Sequence, residues 1–217
     1  MRIFVAVIML ISFMSALKAQ KFPDSLSATT AFARLNPLGL VDISDMNLSV
    51  GAEKRFSNRS SVALDVAYIF FSQRFHDRGR TSGVMLRPAY RFFPGKKYFF
   101  LETELQYKLV THRYTDWVGK DVENGVASYE EYMNFRLRKQ VLGVHLKAGR
   151  QFNLSDKLWL EIYLGVGVHF RKYRIANHRD WRYVVDDNFS IDPVVTGETD
   201  VVAALPAGLR FLYRLSK

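Results

Sequence analysis

The feature that most constrains the fold is residues 158–171, Leu-Trp-Leu-Glu-Ile-Tyr-Leu-Gly-Val-Gly-Val-His-Phe-Arg. Every even position is apolar, and the odd positions carry Trp159, Glu161, Tyr163, Gly165, Gly167, His169 and Arg171. A period of two over fourteen residues builds a strand with one apolar and one polar face. Strands in water-soluble domains average about 5–6 residues. A strand tilted near 45° crosses hydrocarbon in roughly 9–11. The stretch therefore reads as one stave of a membrane β-barrel.

Composition agrees with that reading. The chain has 217 residues, 48% of them hydrophobic, with 17 Phe, 11 Tyr and no Cys, at a mean hydropathy near zero. That is too polar for a bundle of membrane helices, but it suits strands of which half is polar. At the amino end, Arg2 precedes a run of apolar residues over positions 3–13 broken only by Ser12, followed by Ser15-Ala16-Leu17-Lys18-Ala19. This pattern predicts a secretory signal peptide over residues 1–19 and a barrel domain over 20–217. The apolar run is too short to span as a helix. Without Cys there is neither a lipoprotein-type anchor nor a disulfide framework. Removing Arg2 and Lys18 lowers the net charge from +10 to +8. Export and amphipathic strands argue against nucleic acid as the acidic partner and favour lipid phosphates, though a solvated surface explains most of the charge.

Alternation predicts eight strands, at about 28–36, 45–56, 60–72, 82–93, 98–112, 138–152, 158–171 and 200–215. Pro88 removes a ladder donor, so a local irregularity is expected in the fourth. The connections after the second, fourth and sixth strands are short. Those after the third, fifth and seventh are long, with loops expected at 113–137 and 172–199. Short turns at one end and long loops at the other is the asymmetry of outer-membrane barrels. Aromatics collect at the strand ends. Phe56, Phe92, Phe93, Tyr98, Phe99, Phe152, Trp159, Phe211 and Tyr213 lie near the short turns. Tyr68, Phe70, Tyr107, Phe170 and Tyr173 lie near the long loops, as two interfacial belts would require. The predicted fold is all-β, an eight-stranded antiparallel up-and-down transmembrane barrel in the outer membrane.

Three stretches carry a family likeness: Asn36-Pro37-Leu38-Gly39, Gly51-x-Glu53-x-Arg55-Phe56, and Leu86-Arg87-Pro88-x-Tyr90-Arg91-Phe92-Phe93. With these the chain resembles an uncharacterised family of outer-membrane β-barrel proteins from Bacteroidota and, more loosely, the small OmpA/OmpX-type barrels. The resemblance implies location and architecture and brings no catalytic residues. Gly208-Leu209-Arg210-Phe211-Leu212-Tyr213 also resembles the C-terminal signal read by the barrel-insertion machinery. It departs from that signal at Pro206 and in the extension Arg214-Leu215-Ser216-Lys217.

With the apolar faces turned to lipid, the opposite faces fill the lumen with charge. Centring the turn at 94–97 puts Arg87 opposite Glu104 and Arg91 diagonal to Glu102. Centring the turn at 153–157 puts Lys147 diagonal to Glu161. Since an eight-stranded interior is only wide enough for side chains, the expectation is a sealed lumen held by these ion pairs. The same register leaves His145 and His169 four residues apart, roughly 13 Å along the strand, too far to share a metal. No cofactor, metal or catalytic motif is expected. Paired carboxylates such as Glu102 and Glu104 can do acid–base work, but with arginines opposite a structural role is the plainer reading. Function is then expected in the loops, where Tyr114 and Trp117, and Arg179, Trp181 and Arg182, offer aromatic and basic contacts for a partner or for lipid phosphates. The alternatives are a flexible loop or an added hairpin outside the membrane. The functional expectation is a structural or loop-mediated binding role without enzymatic activity. The rivals are a narrow outer-membrane channel or transporter, a lipid-modifying enzyme, and a secreted soluble barrel holding an apolar ligand.

Overall fold

The computed structural model describes residues 30–41, 45–72, 79–95, 98–123, 126–176, 178, 181 and 196–215. The expected signal peptide lies outside them. The strands are β1 (Ala31–Asn36), β2 (Met46–Ser57), β3 (Ser60–Phe71), β4 (Gly79–Phe92), β5 (Phe99–Glu123), β6 (Val126–Asn153), β7 (Leu158–Ile175), β8 (Thr199–Ala204) and β9 (Ala207–Arg214). A short 3-10 turn, η1 (Pro37–Val41), follows β1. Among the described residues there is no α-helix, and no helix is long and apolar enough to cross a membrane.

Neighbours in sequence pair antiparallel from β1 to β7. β9 returns to pair with both β7 and β1, so the ladders close into a ring of eight positions. The eighth position is shared. β8 pairs with the upper part of β7 and β9 with the lower part. The break between them falls at Leu205 and Pro206, where proline has no N–H to give a ladder. The expectation of one continuous strand over 200–215 is corrected here. The short turns (58–59, 93–98 and 154–157) define the lower end of the ring, and the other connections define the upper end. The chain enters β1 and leaves β9 at the lower end, with Phe32 across from Arg214.

Alternation does what the sequence leads one to expect. In β3, Val62, Leu64, Val66, Tyr68 and Phe70 are exposed on the outside, while Ser61, Ala63, Asp65, Ala67 and Ile69 are buried inside. Pro88 interrupts the β4–β5 ladder, whose pairs stop at Leu86↔Tyr107 and resume at Ala89↔Glu104.

Three expectations need correction. Residues 113–137 are not an irregular loop. β5 and β6 continue through them as a hairpin, paired as far as Glu123↔Val126. At about 3.3 Å per residue, the 25 residues of β5 reach well beyond a bilayer core. Trp159, Phe93 and Tyr173 are not belt residues. Trp159 (1% exposed) packs inside with Phe32 and Leu212, Phe93 with Phe100 and Tyr163, and Tyr173 with Leu137 and Ile175. They occupy inward positions of the alternation, so proximity to a strand end does not turn them outward. Finally, the two hairpin registers each differ by two residues from a centred turn. At the first, the β4–β5 turn continues to Tyr98, which takes a positive φ of 66° after Gly95 at 86°. At the second, the amides of Leu154 and Ser155 both donate to the Leu158 carbonyl, and pairing begins at Asn153↔Trp159.

Candidate functional site

The interior has two layers. In the lower layer, Arg34 (β1), Arg55 (β2), Arg91 (β4), Lys147 (β6) and Arg210 (β9) face Glu53, Asp65, Glu102, Glu104 and Glu161, five cations against five carboxylates. Each sits at an inward position of its strand, and all ten are nearly inaccessible to solvent. Glu102 is the hub. It accepts from Arg210 at 2.8 and 3.0 Å and from Lys147 at 3.4 Å, and pairs with the Arg91 guanidinium, whose Nε lies 3.1 Å away. Arg91 also bridges Glu53 and Glu161, and Gln151 donates to Glu161 at 2.7 Å. Aromatic rings fill the remaining volume. The guanidinium carbon of Arg91 lies 3.9 Å from the Phe100 ring centre, Arg55 lies 4.2 Å from Phe93, and Arg210 lies 4.1 Å from Tyr163. Burying one ion costs several kcal/mol, so so many survive only because each is paired or stacked.

The two-residue register shift changes the expected partners. Arg91 stands directly opposite Glu102. Arg87 does not stand opposite Glu104, which faces Ala89; its guanidinium donates to Ser49 Oγ at 2.5 Å, and its charge still acts on Glu104. Lys147 stands across from Gly165 and reaches Glu104 at 2.5 Å instead of Glu161.

Above this plug lies the upper layer, a cavity of about 600 Å³. Its lining includes Arg87, Lys108, Lys139, Lys147 and Arg171 with one carboxylate, Glu104. Asp45, in the connection ahead of β2, receives Lys108 at 2.6 Å and Lys139 at 2.8 Å. Burial works against its charge, but the two ammonium groups outweigh that and hold its carboxyl below the usual carboxylate range.

Between the layers sits an arrangement the expected register hid. Gly143-Val144-His145 and Gly167-Val168-His169 pair in antiparallel register, so each histidine faces the other triplet's glycine. The two rings then meet diagonally, with Nε2 to Nε2 at 2.7 Å. Glycine is required at both places. A Cβ on Gly167 would lie 2.3 Å from His145 Cδ2, and one on Gly143 would lie 2.7 Å from His169 Cδ2. Glu104 Oε1 lies 3.0 Å from His145 Nδ1 and, being a carboxylate, accepts from it. This orients His145 so that its Nε2 faces His169. The repeated Gly-Val-His was the sequence signal for this contact. Among the described residues no group of three His, Cys, Asp or Glu side chains is placed to hold a metal.

The outer hairpin holds Trp117, which is exposed and lies 5.5 Å ring to ring from Tyr132 across the β5–β6 ladder. Tyr114 lies on β5 across from Phe135. Trp181 stacks on His178 at 3.5 Å and receives Lys120 over its ring at 4.3 Å. Trp117 and Trp181 do not form one surface with Arg179 and Arg182 that can be described, since both arginines lie outside the described residues.

A family model for a protein of unknown function, DUF3575, matches residues 8–191. No curated protein and no solved structure matches the chain.

Proposed function

The chain belongs to the DUF3575 family, and from that premise we propose that it is an eight-stranded transmembrane β-barrel of the outer membrane with a structural or binding role, closed to ions across its lower half. The observation that carries this reading is the outer surface of the ring. Leu48, Val50, Leu64, Val66, Leu86, Leu105, Leu142, Leu146, Leu164 and Val166 are all more than 40% exposed, on consecutive strands, while Glu53, Asp65, Arg91, Glu102, Lys147, Glu161 and Arg210 are buried inside. A contiguous apolar surface of that extent needs a cover, and where β9 pairs with both β1 and β7 the ring has the hydrogen-bonding completeness that hydrocarbon demands. Tyr68, Phe70, Tyr107 and Phe170 toward the long connections, with Phe56, Phe92 and Tyr213 toward the short turns, supply exposed aromatics for two interfaces. The inward charges argue against a soluble barrel holding an apolar ligand.

The test is refolding into phosphatidylcholine vesicles. The expected result is a protein that floats with the vesicles, resists urea extraction and migrates differently on gels before and after boiling. A protein that stays in the aqueous fraction with a single gel position would overturn the proposal.

A further inference from the structure

Among the described residues, the wall of the upper chamber lacks one strand pairing. Above Leu35↔Phe211 no strand among the described residues pairs with the β1-facing edge of β9 and β8. β1 has ended, and η1 takes its place. Residues 202–207 border the chamber along this edge, with Leu38 and Gly39 of η1 among the other lining residues. Leu205, at that edge and 77% exposed, also borders an apolar groove of about 740 Å³ on the outer face, shared with Leu101, Leu146, Leu164 and Val166. A polar chamber and an apolar outer groove thus meet at one residue of the seam.

The chamber's charge says what it holds. Glu104 is already engaged by Lys147, His145 and Arg210. Asp45 is one carboxylate between two lysines. Arg87 is 91% buried, its hydrogen bond goes to a serine, and its Nε has no partner among the described residues. Arg87, Lys108 and Lys139 set against Asp45 leave a surplus of two positive charges. Arginine and lysine converging on a partly dry cavity suit a phosphate, which accepts several charge-assisted hydrogen bonds at once.

We infer that this chamber binds the phosphate of a single anionic amphiphile that enters sideways through the seam between η1 and residues 202–207, its chain lying outside against Leu205. The inference rests on the membrane reading above.

The experiment titrates the full refolded protein, in dodecyl maltoside, with dodecyl phosphate and with inorganic phosphate, by calorimetry. Dodecyl phosphate is expected to bind one to one. The double variant Arg87→Gln/Lys139→Gln is expected to bind it at least tenfold more weakly, with Arg87→Lys/Lys139→Arg restoring most of the affinity. Ala204→Trp, which narrows the seam, is expected to weaken dodecyl phosphate but not inorganic phosphate. Each variant is first checked for the boiled and unboiled gel shift, so that only folded protein is compared. Equal affinity of the double variant and the parent for dodecyl phosphate would overturn the site. Inorganic phosphate binding as tightly as dodecyl phosphate would overturn entry through the seam. A protein that enters vesicles but binds neither probe overturns this inference alone, whereas failure to enter vesicles overturns the membrane reading and lateral entry with it.

Discussion

The lower and upper halves of the interior are built from the same strands but settle their charge differently. Below, five cations and five carboxylates interlock around Glu102, with aromatic rings between them. Above, Arg87, Lys108 and Lys139 line a cavity, with Asp45 as the carboxylate between the two lysines. The lower half is organised to be full, and removing any member leaves others stranded. The upper half keeps space and a charge surplus, which a purely structural filling has no reason to retain. The difference follows from the seam. Where β9 closes on β1 the ring is complete and must be packed, and where β1 gives way to η1 no described strand completes the wall.

The largest effect is expected from Arg91→Met. It removes the cation facing Glu53, Glu102 and Glu161, and breaking a buried pair costs about 3–5 kcal/mol. The urea midpoint for unfolding from detergent should fall by that amount, or refolding should fail. An unchanged midpoint would break the distinction between the halves.

Gly167→Val comes next. Its side chain would collide with His145 and the Val144 carbonyl, so a loss of about 1–3 kcal/mol is expected from overpacking. His145→Ala in the same chain should recover part of it, which a double-mutant cycle would measure.

Asp45→Asn sharpens the account of the upper layer. Its carboxyl is held below the unfolded value, so the stability it contributes is complete above about pH 4 and is lost as pH falls below that point. Between pH 6 and pH 3 the parent should lose more stability than Asp45→Asn, as read from paired urea titrations. Parallel pH profiles would remove Asp45 from the account. The smallest effect belongs to Trp117→Ala on the protruding hairpin. That ring is exposed, and the change should stay within about 0.5 kcal/mol.

What the sequence made legible was decided by which physical constraint acted locally. Strands β2 to β7 within the ring were readable because one face must be apolar and the other polar. Past His112 on β5 and before Arg138 on β6 the buried apolar positions thin out to Val118, Phe135 and Leu137, so the period-two signal fades although the ladder continues to Glu123↔Val126. Asp65, Glu102 and Arg210 were visible as inward charges, but their partners depended on register, and register depended on turn geometry. Tyr98 at positive φ moved one hairpin by two residues, and that was enough to put Ala89 opposite Glu104 and to bring Glu102 from a diagonal to a direct place across from Arg91. The histidine contact was lost to the same two-residue shift in the next hairpin, although the paired Gly-Val-His triplets announced it. The seam left only Pro206 as a trace, because an absent pairing has no residue of its own.

The most direct test of the division between a closed lower half and an open upper chamber is conductance. Refolded protein in a planar bilayer, held at moderate voltage in symmetric potassium chloride, is expected to show no steady current. On the proposed reading the ten-charge plug and the aromatic rings block the lower half, whatever the upper chamber admits. A stable, ohmic channel of nanosiemens scale in the unaltered protein would contradict that account.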